Sequence, residues 1–307
     1  MTERKRVFNL LTILGPTASG KTRLAVSLAE RFSGEIISAD SRQVFRGMDI
    51  GSGKDLHEYG RVPYHLINIL DAGEEFSVFA FQRLFLKACQ DIESRGRLPI
   101  LCGGSGMYLD AALRGYRMVE VPQNEQLRAD LSGKSAHELC EMLNSMRPGQ
   151  HNKTDLLDRL RTLRAIEIAS HDPCDACANE PYPDLRPLVI GIRLERDEMR
   201  RRITERLRLR LENGMIAEVQ GLHDSGIPWE RLDYYGLEYR YVGAFLRGDL
   251  KRNDMFQKLN SAIHDFAKRQ GNWFRKMERH GIAIQWVDGA GDPLQESVEV
   301  IEKSDLD

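Results

Sequence analysis

No stretch of the 307-residue chain approaches the roughly 18 to 20 consecutive apolar residues that a membrane-spanning helix needs, so no membrane segment is expected. A secretory leader is not expected either. The basic start, Met1 to Arg6, runs directly into an apolar strand-like stretch, with no h-region and no cleavage site. Cysteine is scarce: five residues, an odd number mostly without paired spacing, argue against a disulfide framework and for a reducing cytoplasm. Charge of one sign is also missing. The formal net charge of −2 gives no global basic signature, so any nucleic-acid surface must be a local patch. There are no internal repeats. What remains, 41% hydrophobic and 29% charged residues, suits a soluble chain with enough core for one large α/β domain, or one domain with a small insertion.

The rest of the chain is organised around Gly15-Pro16-Thr17-Ala18-Ser19-Gly20-Lys21-Thr22, which fits G-x-x-x-x-G-K-[ST]. An apolar run, Val7 to Leu14, reads as a buried strand entering the loop, and Leu24, Ala25, Leu28 and Ala29 recur behind it at helical spacing. Strand, glycine loop and helix start make a phosphate cradle, in which backbone N–H groups and the helix N-terminus favour an anion. Lys21 is expected to reach the terminal phosphates and the Thr22 hydroxyl to hold Mg²⁺. The bland alternative is a glycine-rich turn without ligand. The flanking elements favour a bound diphosphate or triphosphate.

Further along, Glu35 to Ala39 reads as a short strand ending at Asp40, on the sheet edge where ligands of open parallel sheets gather. Met48 to Lys54 looks like a second phosphate loop but lacks the upstream glycine, so an ordinary loop with one basic side chain is expected. His65 to Asp71 reads as another strand ending in an acid, followed by a helix over Val78 to Arg95 with Phe79, Leu84, Leu86 and Ala88 apolar. Leu98 to Cys102 reads as a buried strand running into the glycine turn Gly103 to Leu109. This alternation predicts a parallel sheet flanked by helices. Residues 118–184 break the rhythm with helices at Ala136 to Met146 and Asp155 to Ala169, and read as a helical insertion in a core formed by 1–117 and 185–307. The sheet resumes at Leu188 to Ile192. A basic helix follows from Asp197 to Asn213, stopped by Gly214. A long helix then carries Phe256, Leu259, Ile263, Phe266, Ala267, Gln270, Trp273, Phe274 and Met277 on one face. A last strand spans Ile282 to Val287, and the acidic tail after Asp288 is expected to fray.

Two strand-end acids compete for the roles of Mg²⁺ holder and general base. Asp71 has the look of a Walker-B carboxylate. Asp40 is followed by Ser41, Arg42 and Gln43, all able to bond a base or phosphate. The alternative for each acid is a helix N-cap or turn aspartate. Arg202, Arg206 and Arg210 share one helical face and repel unless an anion sits there, or unless Glu198, Glu205 and Glu212 pair with them. Trp273 and Phe274 read as core, while Lys268, Arg269, Arg275 and Lys276 beside them could touch phosphate. Cys174-x-x-Cys177 with His171 is a weak zinc signal, since no second pair of ligands follows.

Several segments together resemble the tRNA dimethylallyltransferases: 15–22, 35–54 (EIISADSRQVFRGMDIGSGK), 62–71, 98–109 and 266–275 (FAKRQGNWFR), with RLRTLRAIEI at 159–168 and the spacing from Arg202 through Arg206 and Gly214 to Glu218. The resemblance implies transfer of a dimethylallyl group from its diphosphate to N6 of an adenine in the tRNA anticodon loop (position 37), with Mg²⁺. Asp40, Lys21, Ser105 and Arg206 would be catalytic. Gly15 to Thr22 would hold the diphosphate and Thr22 the metal. Asp40, Ser41, Arg42, Gln43, Arg159, Arg161 and Arg164 would contact tRNA. A cytoplasmic monomer is expected. Ser105 stands where threonine is usual, Tyr234 to Tyr239 replaces the usual Ile-Gly-Tyr-Lys-Glu stretch, and Ser261 to Asp265 lacks a Thr-Arg pair. The rival readings are an adenylate isopentenyltransferase with a free nucleotide as acceptor, a small-molecule kinase using ATP, and a non-enzymatic nucleotide-binding module.

Overall fold

The structure is a computed structural model that describes residues 7–116, 118, 120–146, 159–171 and 182–304. Two compact units divide the chain: residues 1–116 with 183–307, and residues 117–182.

The first unit is built on six strands: β1 (Leu10–Leu14), β2 (Gly34–Ala39), β3 (Tyr64–His65), β4 (Leu98–Gly103), β5 (Pro187–Arg193) and β6 (Ile284–Asp288). They form one parallel sheet in the order β3-β2-β4-β1-β5-β6. Every residue of β1, β2 and β4 is buried, as expected of a parallel sheet covered on both faces. Alternation along β1 decides what covers each face. Leu11 and Ile13 pack with Leu24, Ala25 and Leu28 of α1 (Lys21–Phe32) and with Val298 and Ile301 of α12 (Pro293–Ser304). Leu10 and Leu14 face the other way, toward Phe81 and Phe85 of α2 (Val78–Ser94), Leu109 of α3 (Gly106–Arg114) and Phe274 and Met277 of α11 (Arg252–Arg279). A third cluster joins α11 to α7 (Arg196–Glu212), α8 (Met215–Asp224), α9 (Trp229–Tyr235) and α10 (Leu237–Leu246), with Val44, Phe45 and Met48 inserted among them. Among the described residues no helix is long and apolar enough to cross a membrane.

Two expectations need correction. The strand expected over residues 65–71 stops at His65, because Leu66 and Asn68 take φ of +62° and +56°, outside the extended region. A single bridge, Phe45 to Leu70, is all that follows. Helix α2 forms as expected and buries Phe81, Phe85, Ala88 and Ile92; of the apolar residues named from the sequence, Leu84 is exposed. The tail expected to fray is helical. Leu294, Val298 and Ile301 recur at helical spacing and lie against the α1 side of the sheet.

The second unit contains α4 (Glu125–Asp130), α5 (Ala136–Met146) and α6 (Arg159–Ser170) around Leu131, Leu139, Leu143, Leu163 and Ile166. Its polar centre is Glu167, whose side chain is 1% exposed. The carboxylate accepts from Arg128 at 2.6 Å, Arg164 at 2.9 Å and the Asn124 amide at 3.1 Å. Burial opposes the charge, and these partners outweigh it, holding Glu167 below the ordinary carboxylate range.

Candidate active site

The glycine loop leaves β1 through two left-handed residues, Ala18 (φ +61°) and Gly20 (φ +87°). Gly15 is required by close approach: a Cβ there would lie 2.7 Å from Ser19 Oγ. Gly20 caps α1 without a side chain, leaving the first-turn amides open to an anion. The loop is fastened from α11. Gln270, 7% exposed, accepts from the Thr17 amide at 2.8 Å and donates to the Gly104 carbonyl at 2.8 Å, joining the cradle to the turn after β4.

Lys21 and Thr22 follow on α1 and line a cavity of about 710 Å³. Lys21 is half-buried, its ammonium donating weakly to the Pro16 carbonyl at 3.4 Å. Burial, with the nearby Arg206 and Arg210 cations, lowers its pKa, while Asp40 acts in the opposite sense. Asp40 stands at the carboxyl end of β2 on the same cavity wall, one carboxylate oxygen accepting from the Arg42 amide at 2.9 Å. Ser105 lies outside that wall. Its Oγ accepts the Ser41 amide at 3.4 Å, which steadies the turn carrying Asp40. Gln43 is held by Ser38 Oγ at 2.8 Å and donates to the Gly53 carbonyl at 3.1 Å; Arg42 Nε donates to the Tyr235 carbonyl.

The second glycine-rich loop is a wall of the cavity. Glu218 of α8 gathers the amides of Asp49, Ile50 and Gly51 at 2.8, 2.6 and 2.9 Å, and Tyr239 donates to the same carboxylate at 3.1 Å. Lys54, 1% exposed, donates to the Phe45 carbonyl and to Asp49, both at 2.6 Å, and to Asn68, so its charge serves the loop and not a phosphate. Asp71 has no Walker-B position: 75% exposed, it pairs with Arg46 at 2.8 Å.

The arginine face of α7 turns toward the cavity, where Arg202, Arg206 and Arg210 all line the wall. Of the three, only Arg202 keeps one of the expected acids. Arg202 takes Glu198 at 2.6 Å, but Glu205 goes to Arg201. Arg206 bonds Asp55 at 2.9 Å and reaches Thr17 Oγ1 at 3.4 Å. In the second unit, Arg159 donates to the carbonyls of Leu131, Ser132 and Lys134, Arg164 to Val121 and Glu167, and Arg161 is exposed on the same helix.

The glycine loop and the strand-end carboxylate of Asp40 thus line one cavity. The protein-family model described as IPP transferase matches residues 43–277. The chain belongs to that family. A protein named tRNA dimethylallyltransferase 2 from Trichlorobacter lovleyi is 70% identical over 293 residues, covering 95% of this chain and 96% of its own length. Its namesake from Pelobacter propionicus is 71% identical, covering 96% and 94%. The crystal structure of a tRNA isopentenylpyrophosphate transferase from Bacillus halodurans is 32% identical, covers 97% of each chain and superposes with a TM-score of 0.71. A eukaryotic dimethylallyltransferase solved acting on tRNA, 23% identical over 95% of this chain and 77% of its own, shares the fold with a TM-score of 0.76.

Within this family frame, the stretch that departs from the usual pattern has definite jobs. Tyr239 anchors Glu218, and Glu238 lies 3.8 Å from Arg210. What sequence reasoning leaves unassigned are the roles of the fasteners: Gln270, read from the sequence as part of an apolar helix face, Glu218, which enters only through the family spacing, and Asp55 and Glu238, which no spacing marks. Phe274 is buried as core, while Trp273 is half-buried against the same cluster, its ring lying where a Cβ on Gly106 would come within 2.3 Å. Cys174 and Cys177 lie outside the described residues, and among the described residues no group of three or more His, Cys, Asp or Glu side chains could hold a metal.

Proposed function

We propose that the protein transfers the dimethylallyl group of dimethylallyl diphosphate to N6 of an adenosine in the tRNA anticodon loop, releasing pyrophosphate. The observation that carries this reading is one cavity wall bearing both the phosphate cradle and Asp40, in a chain 70% identical to a named tRNA dimethylallyltransferase over nearly its whole length. In the reaction N6 attacks C1 of the donor, the C1–O bond breaks with its electron pair going to the diphosphate, and the N6 proton passes to the Asp40 carboxylate. The purine amino group is a weak nucleophile, so orientation and stabilisation of the leaving charge dominate. Loop amides, Lys21 and Arg206 supply that stabilisation. The adenine leaves its stack to reach Asp40. Arg42 and Gln43 line the same cavity as Asp40. Of the arginines at 159, 161 and 164, the exposed Arg161 is the one offered to the anticodon loop, Arg159 and Arg164 being held by carbonyls and Glu167 within their own unit.

Mg²⁺ fits the donor set. Ser19 Oγ is buried without a hydrogen-bond partner, and Thr22 lines the same cavity. A magnesium ion takes one or two protein oxygens and completes its shell with phosphate oxygens and water. Thr22 would hold it, and it would neutralise charge on the departing pyrophosphate.

The test is incubation with radiolabelled dimethylallyl diphosphate and either unmodified tRNA or AMP. Label entering tRNA, with pyrophosphate released, supports the reading. Label entering AMP alone, or hydrolysis of ATP at its terminal phosphate with no allylic substrate accepted, overturns it.

A further inference from the structure

The reading above gives a role to Arg206 alone on the arginine face; Arg202 is paired with Glu198, and Arg210 is left with neither a role nor a close partner. Its side chain is 12% exposed, and its Nη2 is buried with no hydrogen-bond partner. The nearest carboxylate, Glu238, is 3.8 Å from Nη1 and itself only 16% exposed. Asp55, the other acid whose charge acts on Arg210, already bonds Arg206 at 2.9 Å. Burial, and then the like charge of Arg206, push the Arg210 guanidinium down to about 10, which still leaves it charged at neutral pH. A buried cation so poorly paired is costly unless something completes it. It lines the cavity that holds Lys21, Thr22 and Asp40, and its charge is felt at Lys21. The neighbouring loop makes room for it: Gly53 has φ +65°, and a Cβ there would lie 1.6 Å from Arg210 Nη2.

We propose that Arg210 is a second arginine ligand of the diphosphate, completing with Arg206 a clamp on the phosphate that the glycine loop does not enclose. The proposal rests on the prenyl-transfer reading. It deepens that reading by assigning the site two guanidinium groups, suited to an anion of two linked phosphates. When the C1–O bond breaks, the charge that appears on the diphosphate is shared by a fork already stripped of water and carrying an unfilled donor.

The test uses the full chain with Mg²⁺ and inorganic pyrophosphate or orthophosphate as probes, by calorimetry, in wild type, Arg210→Met and Arg210→Lys. Arg210→Met is expected to weaken pyrophosphate binding by roughly ten- to a hundred-fold, the range for a hydrogen bond to a charged group. Orthophosphate, which the glycine loop and Lys21 satisfy by themselves, should change by less than about threefold. Arg210→Lys, which restores charge without the fork, should fall between. A structural arginine would not discriminate between the two anions. Pyrophosphate binding within twofold of wild type in Arg210→Met overturns the proposal. So does a change confined to the KM for tRNA, which would assign Arg210 to an acceptor phosphate. If Arg210→Met does not fold, Arg210→Lys decides: weakened pyrophosphate binding supports the clamp, and unchanged binding overturns it. Wild-type protein that binds no pyrophosphate brings down the prenyl-transfer reading itself, a result distinct from any of these.

Discussion

Replacing Gln270 tests whether the phosphate cradle is held from the C-terminal helix. Gln270→Leu keeps the volume but strips the Thr17 amide of its acceptor and the Gly104 carbonyl of its donor, each now bonded at 2.8 Å. A buried polar group left without a partner costs about 1 to 3 kcal/mol. The Gly104 bond is buried, whereas the Thr17 bond borders the cavity, where water can take the place of the lost acceptor. The expected loss is therefore about 3 kcal/mol for the pair, which for a unit of this size lowers the melting temperature by roughly 6 to 12 °C. Gln270→Glu separates the two bonds. It can still accept from Thr17, but it sets a carboxylate oxygen against the Gly104 carbonyl and a negative charge beside the cradle. Pyrophosphate affinity should then fall in the order wild type, Gln270→Leu, Gln270→Glu. Thermal melting of the free chain and calorimetric titration with pyrophosphate measure both quantities. A Gln270→Leu protein melting within 2 °C of wild type, with unchanged affinity, refutes the reasoning.

Three further outcomes are expected. Asp40→Ala should abolish transfer to tRNA in a single-turnover assay while pyrophosphate still binds; near-normal turnover would remove Asp40 from the role of base. Glu218→Gln weakens the clamp on three amides that fix the Asp49–Gly51 loop, and should cost about 1 to 3 kcal/mol in urea unfolding, with a higher KM for the donor because that loop walls the cavity. Glu35, whose side chain is 4% exposed on β2, is pulled two ways: burial raises its pKa, but the Arg95 fork and His65 at 2.7 Å outweigh it and hold the carboxyl below its ordinary value. A folded pKa below the unfolded value of about 4.3 contributes stability that is full above that value and lost as pH falls through the folded one. Melting temperature should thus drop below about pH 4, and Glu35→Gln should flatten that limb while lowering stability at pH 7.

The parts of the molecule governed by local rules were legible in the sequence. Continuous apolar runs announced β1, β2, β4 and β5, and the G-x-x-x-x-G-K-[ST] spacing announced the cradle, because both depend on residues close together in the chain. The same holds for the apolar face of α11, where helical periodicity alone gave Leu259, Ile263, Ala267 and Phe274. What escaped was set by distant partners. Leu66 and Asn68 break an apolar run that reads as strand, because the neighbouring loop holds Asn68 through Lys54. Gln270 meets Thr17 across 253 positions and Glu218 meets Asp49 across 169, separations at which no pattern survives. The acidic composition of the tail hid three apolar residues whose spacing was sufficient to form α12.

The contact between α1 and α12 also bears on how the protein is made. The two helices lie against one another, yet Lys21 and Pro293 are separated by most of the chain. At synthesis rates of about 5 to 20 residues per second, roughly 15 to 50 seconds pass between the emergence of one and the arrival of the other. During that interval the apolar positions of α1 that share a cluster with Val298 and Ile301 lack the cover those two residues later supply.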